Sequence, residues 1–179
     1  MNKIIPLLAL AATGTTAMAQ SPVPTFTAQD KLDAASYYHI RFKNGSVELV
    51  DKGVNAKIST DYGNDASAQL FALIGTRQHF VLRSKNGNYI GFQGDRLTSV
   101  KEATQALQLT LLNSPVFGEG YYVISRVDDQ KNSFNPHGGT GVGKQIGFWD
   151  NTDANNSLYF PLPEDVPTPT YSAYRDKFT

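Results

Sequence analysis

Tyr38-His-Ile-Arg-Phe-Lys-Asn-Gly45 is the stretch that decides the fold, because the chain contains two further versions of it. The second version is Phe80-Val-Leu-Arg-Ser-Lys-Asn-Gly87, and the third is Tyr122-Val-Ile-Ser-Arg-Val-Asp-Asp129. Each begins with an aromatic residue, continues as a strand and runs into a hairpin turn. The first residues lie at positions 38, 80 and 122, a constant spacing of 42. A fixed period of this length indicates an architecture of repeated structural units.

A second pattern closes each repeat. A polar residue, any residue and an apolar residue lead into a strand, in Gln69-Leu-Phe71, Gln105-Ala-Leu107 and Asn156-Ser-Leu158. Short strands are predicted throughout residues 36–162, at 38–42, 46–50, 80–83, 89–92, 107–112, 121–125 and 158–160. Three units of about 40 residues with about four strands each predict an all-β domain, a β-trefoil in which three hairpins cap a short barrel. The alternative, a sandwich of seven or eight strands, gives no reason for the repeat.

The polar-x-apolar steps resemble the Q-x-W signature of ricin-type β-trefoil lectins. The third repeat is the most similar, in Gln145-Ile-Gly-Phe-Trp149-Asp-Asn-Thr-Asp-Ala-Asn155-Asn-Ser-Leu158. The run Phe134-Asn-Pro-His-Gly-Gly-Thr-Gly-Val-Gly-Lys144 resembles a ricin-like module of secreted Bacteroidetes proteins. The chain departs from the signature because Phe71, Leu107 and Leu158 replace Trp and Asn156 replaces Gln. The resemblance covers residues 36–162 and implies a β-trefoil that binds carbohydrate.

The resemblance also implies where the binding sites lie. In the family an aromatic residue before Q-x-W stacks on the sugar, and Asp and Asn side chains bind its hydroxyl groups. Trp149 precedes Asn156 by seven residues, Tyr62 precedes Gln69 by seven, and Thr98 holds that place in the second repeat. The candidate binding residues are therefore, in the third repeat, Trp149, Asp150, Asn135, Asn155, His137 and Lys144, and in the first, Tyr62, Asn64 and Asp65.

The alternative is that these residues have only structural roles. Trp149 would then be a core or barrel-rim residue, and Asn135, Asp153 and Asn155 would form turns. Strand side chains alternate, so either Phe148 or Trp149 points inward, and Phe148 is the more natural core residue. Three amides are expected to bond the backbone within their own repeats and are not assigned to a site: Gln69, Gln105 and Asn156.

Composition limits the other classes of function. Sixteen basic and sixteen acidic residues balance, which gives no electrostatic footprint for nucleic acid. The absence of cysteine excludes disulfides and thiolate metal sites. Gly138–Gln145 resembles a phosphate-binding P-loop, but Gln145 stands where that loop needs Ser or Thr. The three histidines have no metal-ligand spacing, and no nucleophile elbow occurs. We expect a non-catalytic module without cofactor; a protein-binding or inhibitor β-trefoil is the alternative.

The two ends of the chain are predicted to lie outside the β-trefoil domain. Residues 1–19 have the pattern of a signal peptide, with Lys3, an apolar run over 4–12, and Ala17-Met-Ala19 before the cleavage point. The run is too short to span a membrane, so export to the periplasm, the medium or the cell surface is expected. Residues 20–35 are predicted to be a linker with one weak helical turn, and 163–179 a Pro-rich tail. A secreted enzyme, fused after the tail or associated, is the partner we consider besides a glycan or polysaccharide.

Overall fold

A computed structural model describes residues 23–162, so the predicted signal peptide and the predicted tail lie outside the described residues. The described chain forms thirteen strands in one sheet. The strands are β1 (Phe26–Thr27), β2 (Arg41–Phe42), β3 (Val47–Val50), β4 (Ser59–Tyr62), β5 (Phe71–Thr76), β6 (His79–Ser84), β7 (Tyr89–Gln93), β8 (Arg96–Val100), β9 (Leu109–Ser114), β10 (Gly118–Arg126), β11 (Asp129–Pro136), β12 (Ile146–Asp150) and β13 (Leu158–Tyr159).

The strands fall into three units of four, β2–β5, β6–β9 and β10–β13. In each unit the two middle strands form an antiparallel hairpin, β3–β4, β7–β8 or β11–β12. A short 3₁₀ segment then precedes the last strand, at Ser67–Gln69, Ala103–Gln105 or Ala154–Asn156. The three amides singled out in the sequence end these segments, so the amide is a recurring element of the unit.

The first and last strands of the units form a closed barrel. The order β5-β6-β9-β10-β13-β2 is antiparallel throughout, and an isolated bridge between Tyr38 and Phe71 joins its ends. The equivalent pairs are Phe80 with Leu109 and Tyr122 with Leu158. Positions 38, 80 and 122 therefore occupy the same place in the three units. The second partner is Leu109 where the sequence pattern indicated Leu107, because β9 begins two residues later than predicted.

Apolar residues from all three units fill the barrel. Large fully buried side chains include Phe42, Phe71, Phe80, Phe134 and Phe160. Because each unit contributes only part of this cluster, none can bury its apolar face without the other two.

The segment before the first unit is packed on the barrel. β1 pairs in parallel with β5 through Phe26–Leu73 and Thr27–Ile74. The Phe26 ring lies 5.3 Å from that of Phe80, and residues 29–34 form a 3₁₀ segment. The segment was expected to be a linker with one weak helical turn: the 3₁₀ segment agrees with that turn, whereas β1 is part of the sheet and not linker. The pairing of β1 is stabilised because Phe26 buries apolar surface against the barrel.

Candidate functional site

In the third-unit hairpin, the neighbouring aromatic residues Phe148 and Trp149 point to opposite faces. Phe148 packs on the core with its ring 5.6 Å from Phe134 and 5.4 Å from Phe92. Trp149, opposite Ser133 in the hairpin, is 61% exposed. Strand alternation predicted this arrangement. A large ring therefore faces solvent on a hairpin whose other face is held by the core.

Asn156 fixes the backbone that carries Trp149. Its side chain is fully buried. Its Nδ2 donates to the carbonyl oxygens of Trp149 at 2.9 Å and Asp150 at 3.1 Å, and to Ser133 Oγ at 2.9 Å. Its Oδ1 accepts from Asn135 Nδ2 at 2.7 Å. Asn156 thus has the structural role that the sequence suggested, and Asn135 is part of the same buried network.

Replacing Asn156 by alanine should destabilise the fold by about 1–3 kcal/mol, because buried carbonyl and hydroxyl groups lose their partner. Chemical denaturation measures this loss. Asn113→Ala is the matched control, since Asn113 is exposed and its amide bonds only Arg77 among the described residues; its cost should stay within about 0.5 kcal/mol. Equal losses in the two variants would contradict the structural role of Asn156.

Two polar candidates follow Trp149 closely in the chain, Asp150 at the end of β12 and Asn155 in the next 3₁₀ segment. Asp150 Oδ1 accepts from the backbone N–H of Thr152 at 2.8 Å and from its hydroxyl at 2.7 Å. These bonds hold the pKa of Asp150 below its ordinary value, so the exposed carboxylate is ionised at neutral pH. Asn155 follows in the 3₁₀ segment and accepts through Oδ1 from Asn44 Nδ2 at 3.0 Å. The end of the third-unit hairpin and the segment after it thus carry an exposed ring, an ionised acceptor and an amide within seven residues of the chain.

The remaining two candidates of the third repeat lie in a glycine loop with different contacts. His137 donates its backbone N–H to Gln145 O at 2.8 Å, while the N–H of Lys144 donates to Thr60 Oγ1 at 2.9 Å. Thr60 belongs to β4, so the loop packs on the first unit. The positive φ of Gly138, Gly139, Gly141 and Gly143 permits this bend. Lys144, expected beside Trp149, therefore has its described contacts with the strand that carries Tyr62.

The first unit presents a ring at the corresponding position. Tyr62, the last residue of β4, is 69% exposed. Gln69 Nε2 donates to Tyr62 O at 2.8 Å, and Gln69 Oε1 accepts from the N–H of Asn64 at 2.7 Å. Asn64 Oδ1 accepts from the N–H of Ala66, so the Asn64 oxygen stabilises a turn, and Asp65 is exposed. Gln69 thus supports Tyr62 as Asn156 supports Trp149.

A buried carboxylate that the sequence pattern did not predict lies beneath the first-unit site. Glu48 is fully buried and accepts from Arg41 at 2.8 and 3.1 Å and pairs with His39 Nδ1 at 2.7 Å. A Cβ at Gly63 would lie 2.6 Å from Glu48 Oε1, so a side chain there would force the buried carboxylate to move away from its partners. The available signal was a charged residue inside the apolar strand 47–50, directly opposite Arg41.

The second unit has no ring at this position. Thr98 is fully buried, and its Oγ1 accepts from Lys57 Nζ at 3.2 Å.

Residues 23–162 contain no group of three or more His, Asp or Glu side chains placed to hold a metal ion. Over the same residues, no helix has the length and apolar character needed to cross a membrane.

Comparison by sequence gives no match to a protein-family model or to a curated protein. Comparison by structure gives clear matches. A ricin B-like lectin from Macrolepiota procera, in complex with lactose, superposes with a TM-score of 0.62 at 18% identity, over 72% of this chain and 96% of the lectin. A structure described as the BEL beta-trefoil superposes with a TM-score of 0.57 at 15% identity, over 79% of this chain and 98% of the other. The fold is a β-trefoil.

The same trefoil also occurs as part of larger chains. An endo-β-galactosidase from Clostridium perfringens that releases GlcNAcα1-4Gal matches with a TM-score of 0.56 at 17% identity, over 70% of this chain but only 32% of the enzyme. Identities this low show the fold alone. Within the trefoil, the two exposed rings, Tyr62 and Trp149, lie on two of the three hairpins that cap the barrel.

Proposed function

We propose that this β-trefoil is a non-catalytic carbohydrate-binding module. The observation that carries the proposal is the exposure of Trp149, a large ring that faces solvent while Asn156 fixes its backbone from below. An exposed ring contributes little to the core, so its place on a hairpin whose backbone is hydrogen-bonded by Asn156 favours a role in binding. The repetition of the arrangement at Tyr62, with Gln69 beneath it, supports the same conclusion.

The groups around the ring suit a sugar. The C–H-rich face of a pyranose packs on a flat aromatic ring, while its hydroxyl groups need donors and acceptors at the rim. The ionised Asp150 accepts strong hydrogen bonds, and Asn155 can both donate and accept. Asn64 and Asp65 would serve the first-unit site, with His137 as a further candidate near the glycine loop.

The lactose-bound lectin of the same fold supports a glycan as ligand. The galactosidase, of which the trefoil is one part, supports the idea that such a module accompanies an enzyme. In this proposal the predicted signal peptide exports the chain to the periplasm, the medium or the cell surface of a bacterium, the resemblance pointing to Bacteroidetes. A fused or associated secreted enzyme would then be brought to its polysaccharide.

Each site should bind weakly because it is open and has one ring. Millimolar affinity corresponds to about 4 kcal/mol. Two such sites, on the first and third units, can hold one polymer far more tightly than either alone when both engage at once. A polysaccharide or a densely displayed glycan is therefore the expected ligand.

A glycan array probed with the native domain and with the Tyr62→Ala Trp149→Ala double variant tests the proposal. The native domain should bind at least one glycan, free sugar should compete, and the double variant should bind none. Failure of the native domain to bind any glycan at millimolar concentration would falsify it. If instead a protein is captured from envelope extracts and free sugar does not compete, the alternative of a protein-binding trefoil is correct.

A further inference from the structure

A second aromatic surface lies where the hairpin between β9 and β10 meets β13. The rings of Phe117 and Tyr121 lie 5.7 Å apart, and those of Tyr121 and Tyr159 lie 5.8 Å apart. Lys43 Nζ lies 4.3 Å from the centroid of Phe117 and 5.5 Å from that of Tyr121. All four side chains are partly exposed. We call Lys43, Phe117 and Tyr121 the lysine–aromatic surface.

This surface is joined to the Trp149 site through residues 155–157. The carbonyl oxygen of Ser157 accepts from the N–H of Lys43 at 2.9 Å. Asn155 Oδ1 accepts from Asn44 Nδ2 at 3.0 Å, and Asn156 holds the carbonyl of Trp149. One short segment therefore contacts Trp149 on one side and the turn that carries Lys43 on the other.

The two sides differ in that Lys43 supplies a cation to the lysine–aromatic surface, where the exposed Glu119 also lies between Phe117 and Tyr121 in the sequence. The ionised carboxylate of Asp150 lies next to Trp149, with Asp153 following three residues later. Lys43, on the other side, takes part in none of the ion pairs with N–O distances up to 4 Å among residues 23–162. Carboxylates disfavour an anion over Trp149, whereas the ammonium group of Lys43 attracts one. The contact with Phe117 uses one face of the ammonium group and leaves N–H donors for a ligand.

We propose that the Trp149 site extends to the lysine–aromatic surface and takes an acidic oligosaccharide. This proposal rests on the carbohydrate-binding function. A neutral sugar unit packs on Trp149, and a unit bearing a carboxylate or a sulfate ester lies on Phe117 and Tyr121 with its anionic group at Lys43. Asn44 and Asn155 lie between the two and offer amide groups to the linking sugar. The charge difference sets the direction in which the chain binds.

An array of matched pairs tests this extension, with each neutral oligosaccharide printed beside the same oligosaccharide carrying a sialic acid, a uronic acid or a sulfate ester. The native domain should prefer the acidic member of a pair, and added salt should reduce that preference by screening. Lys43→Gln should lower binding of the acidic member about two- to fivefold and leave the neutral member unchanged. Lys101→Gln, which removes an exposed lysine on the second unit, is the control and should change neither.

The outcomes separate this proposal from the function on which it rests. Equal binding of both members, unchanged by Lys43→Gln, would overturn the extension and leave the carbohydrate-binding function standing. Retention of the acidic member by Trp149→Ala would overturn the extension too, because the two surfaces would then bind separately. Absence of binding to any printed glycan by the native domain overturns both. The sulfate, sialic acid and uronic acid arms identify which anionic group is recognised.

Discussion

Trp149→Ala should lower the affinity of the third-unit site for its glycan at least tenfold while leaving the stability of the domain unchanged. The ring supplies the apolar half of the contact, and truncating a central aromatic residue at a binding surface commonly costs 2 kcal/mol or more, or about thirtyfold. Because 61% of the residue is exposed, its removal opens no cavity. Titration calorimetry and thermal denaturation measure the two effects, and the melting temperature should stay within about 2 °C of the native value.

Trp149→Phe is the matched variant for this prediction. It keeps a flat apolar ring on the same backbone and should recover part of the affinity, since stacking needs a ring face more than the indole nitrogen. Val54→Ala is the surface control, because Val54 is also an exposed apolar residue but belongs to the β3–β4 connection of the first unit. If Trp149→Ala bound as the native domain does, or unfolded at a much lower temperature, Trp149 would be a barrel-rim residue and not a platform.

The repeat at 38, 80 and 122 predicted the barrel because strand pairing uses the same positions in each unit. The weaker predictions concern strands whose residues are polar. β4 (Ser59–Tyr62) and β11 (Asp129–Pro136) contain too few apolar residues to alternate visibly, since one face of each hairpin meets solvent or a neighbouring loop. The conformation of these strands is determined by pairing with their hairpin partners and by packing on the barrel. These contacts exist only in the folded chain, so the local sequence does not show them.

For the candidate sites too, contacts within one unit could be predicted from the sequence, whereas contacts between units could not. The spacing of seven residues placed Trp149 above Asn156 and Tyr62 above Gln69, because an amide that bonds the backbone of its own unit fixes that distance along the chain. The position of Lys144 could not be predicted in this way. Its loop bends onto Thr60, 84 residues earlier in the sequence, and no local pattern encodes a contact between units. Asn44, which bonds Asn155 across 111 residues, was missed for the same reason.

Glu48→Ala should destabilise the trefoil by about 3–5 kcal/mol, the largest stability effect we expect from a single polar substitution here. Glu48 is fully buried, and both carboxylate oxygens are occupied, one by Arg41 and one by His39. Burial alone lowers the pKa of Arg41, but the hydrogen bonds to Tyr159 and Glu48 outweigh it and raise that pKa, so the guanidinium stays charged. Removing Glu48 therefore leaves a partly buried cation without its counter-ion. Chemical denaturation measures the loss.

Asp128→Ala provides the matched control, because Asp128 also pairs with an arginine, its two oxygens accepting from Arg126 at 3.1 Å each, but its side chain is 72% exposed. An exposed pair of this kind contributes about 0–1 kcal/mol. The substitution of Glu48 should also affect binding, because Glu48 lies directly under Gly63, the residue next to Tyr62. If Glu48→Ala remains folded, it should lose binding at the first-unit site and keep binding at Trp149. Equal stability losses in Glu48→Ala and Asp128→Ala would mean that water replaces the buried carboxylate, and that Gly63 and Tyr62 are positioned without it.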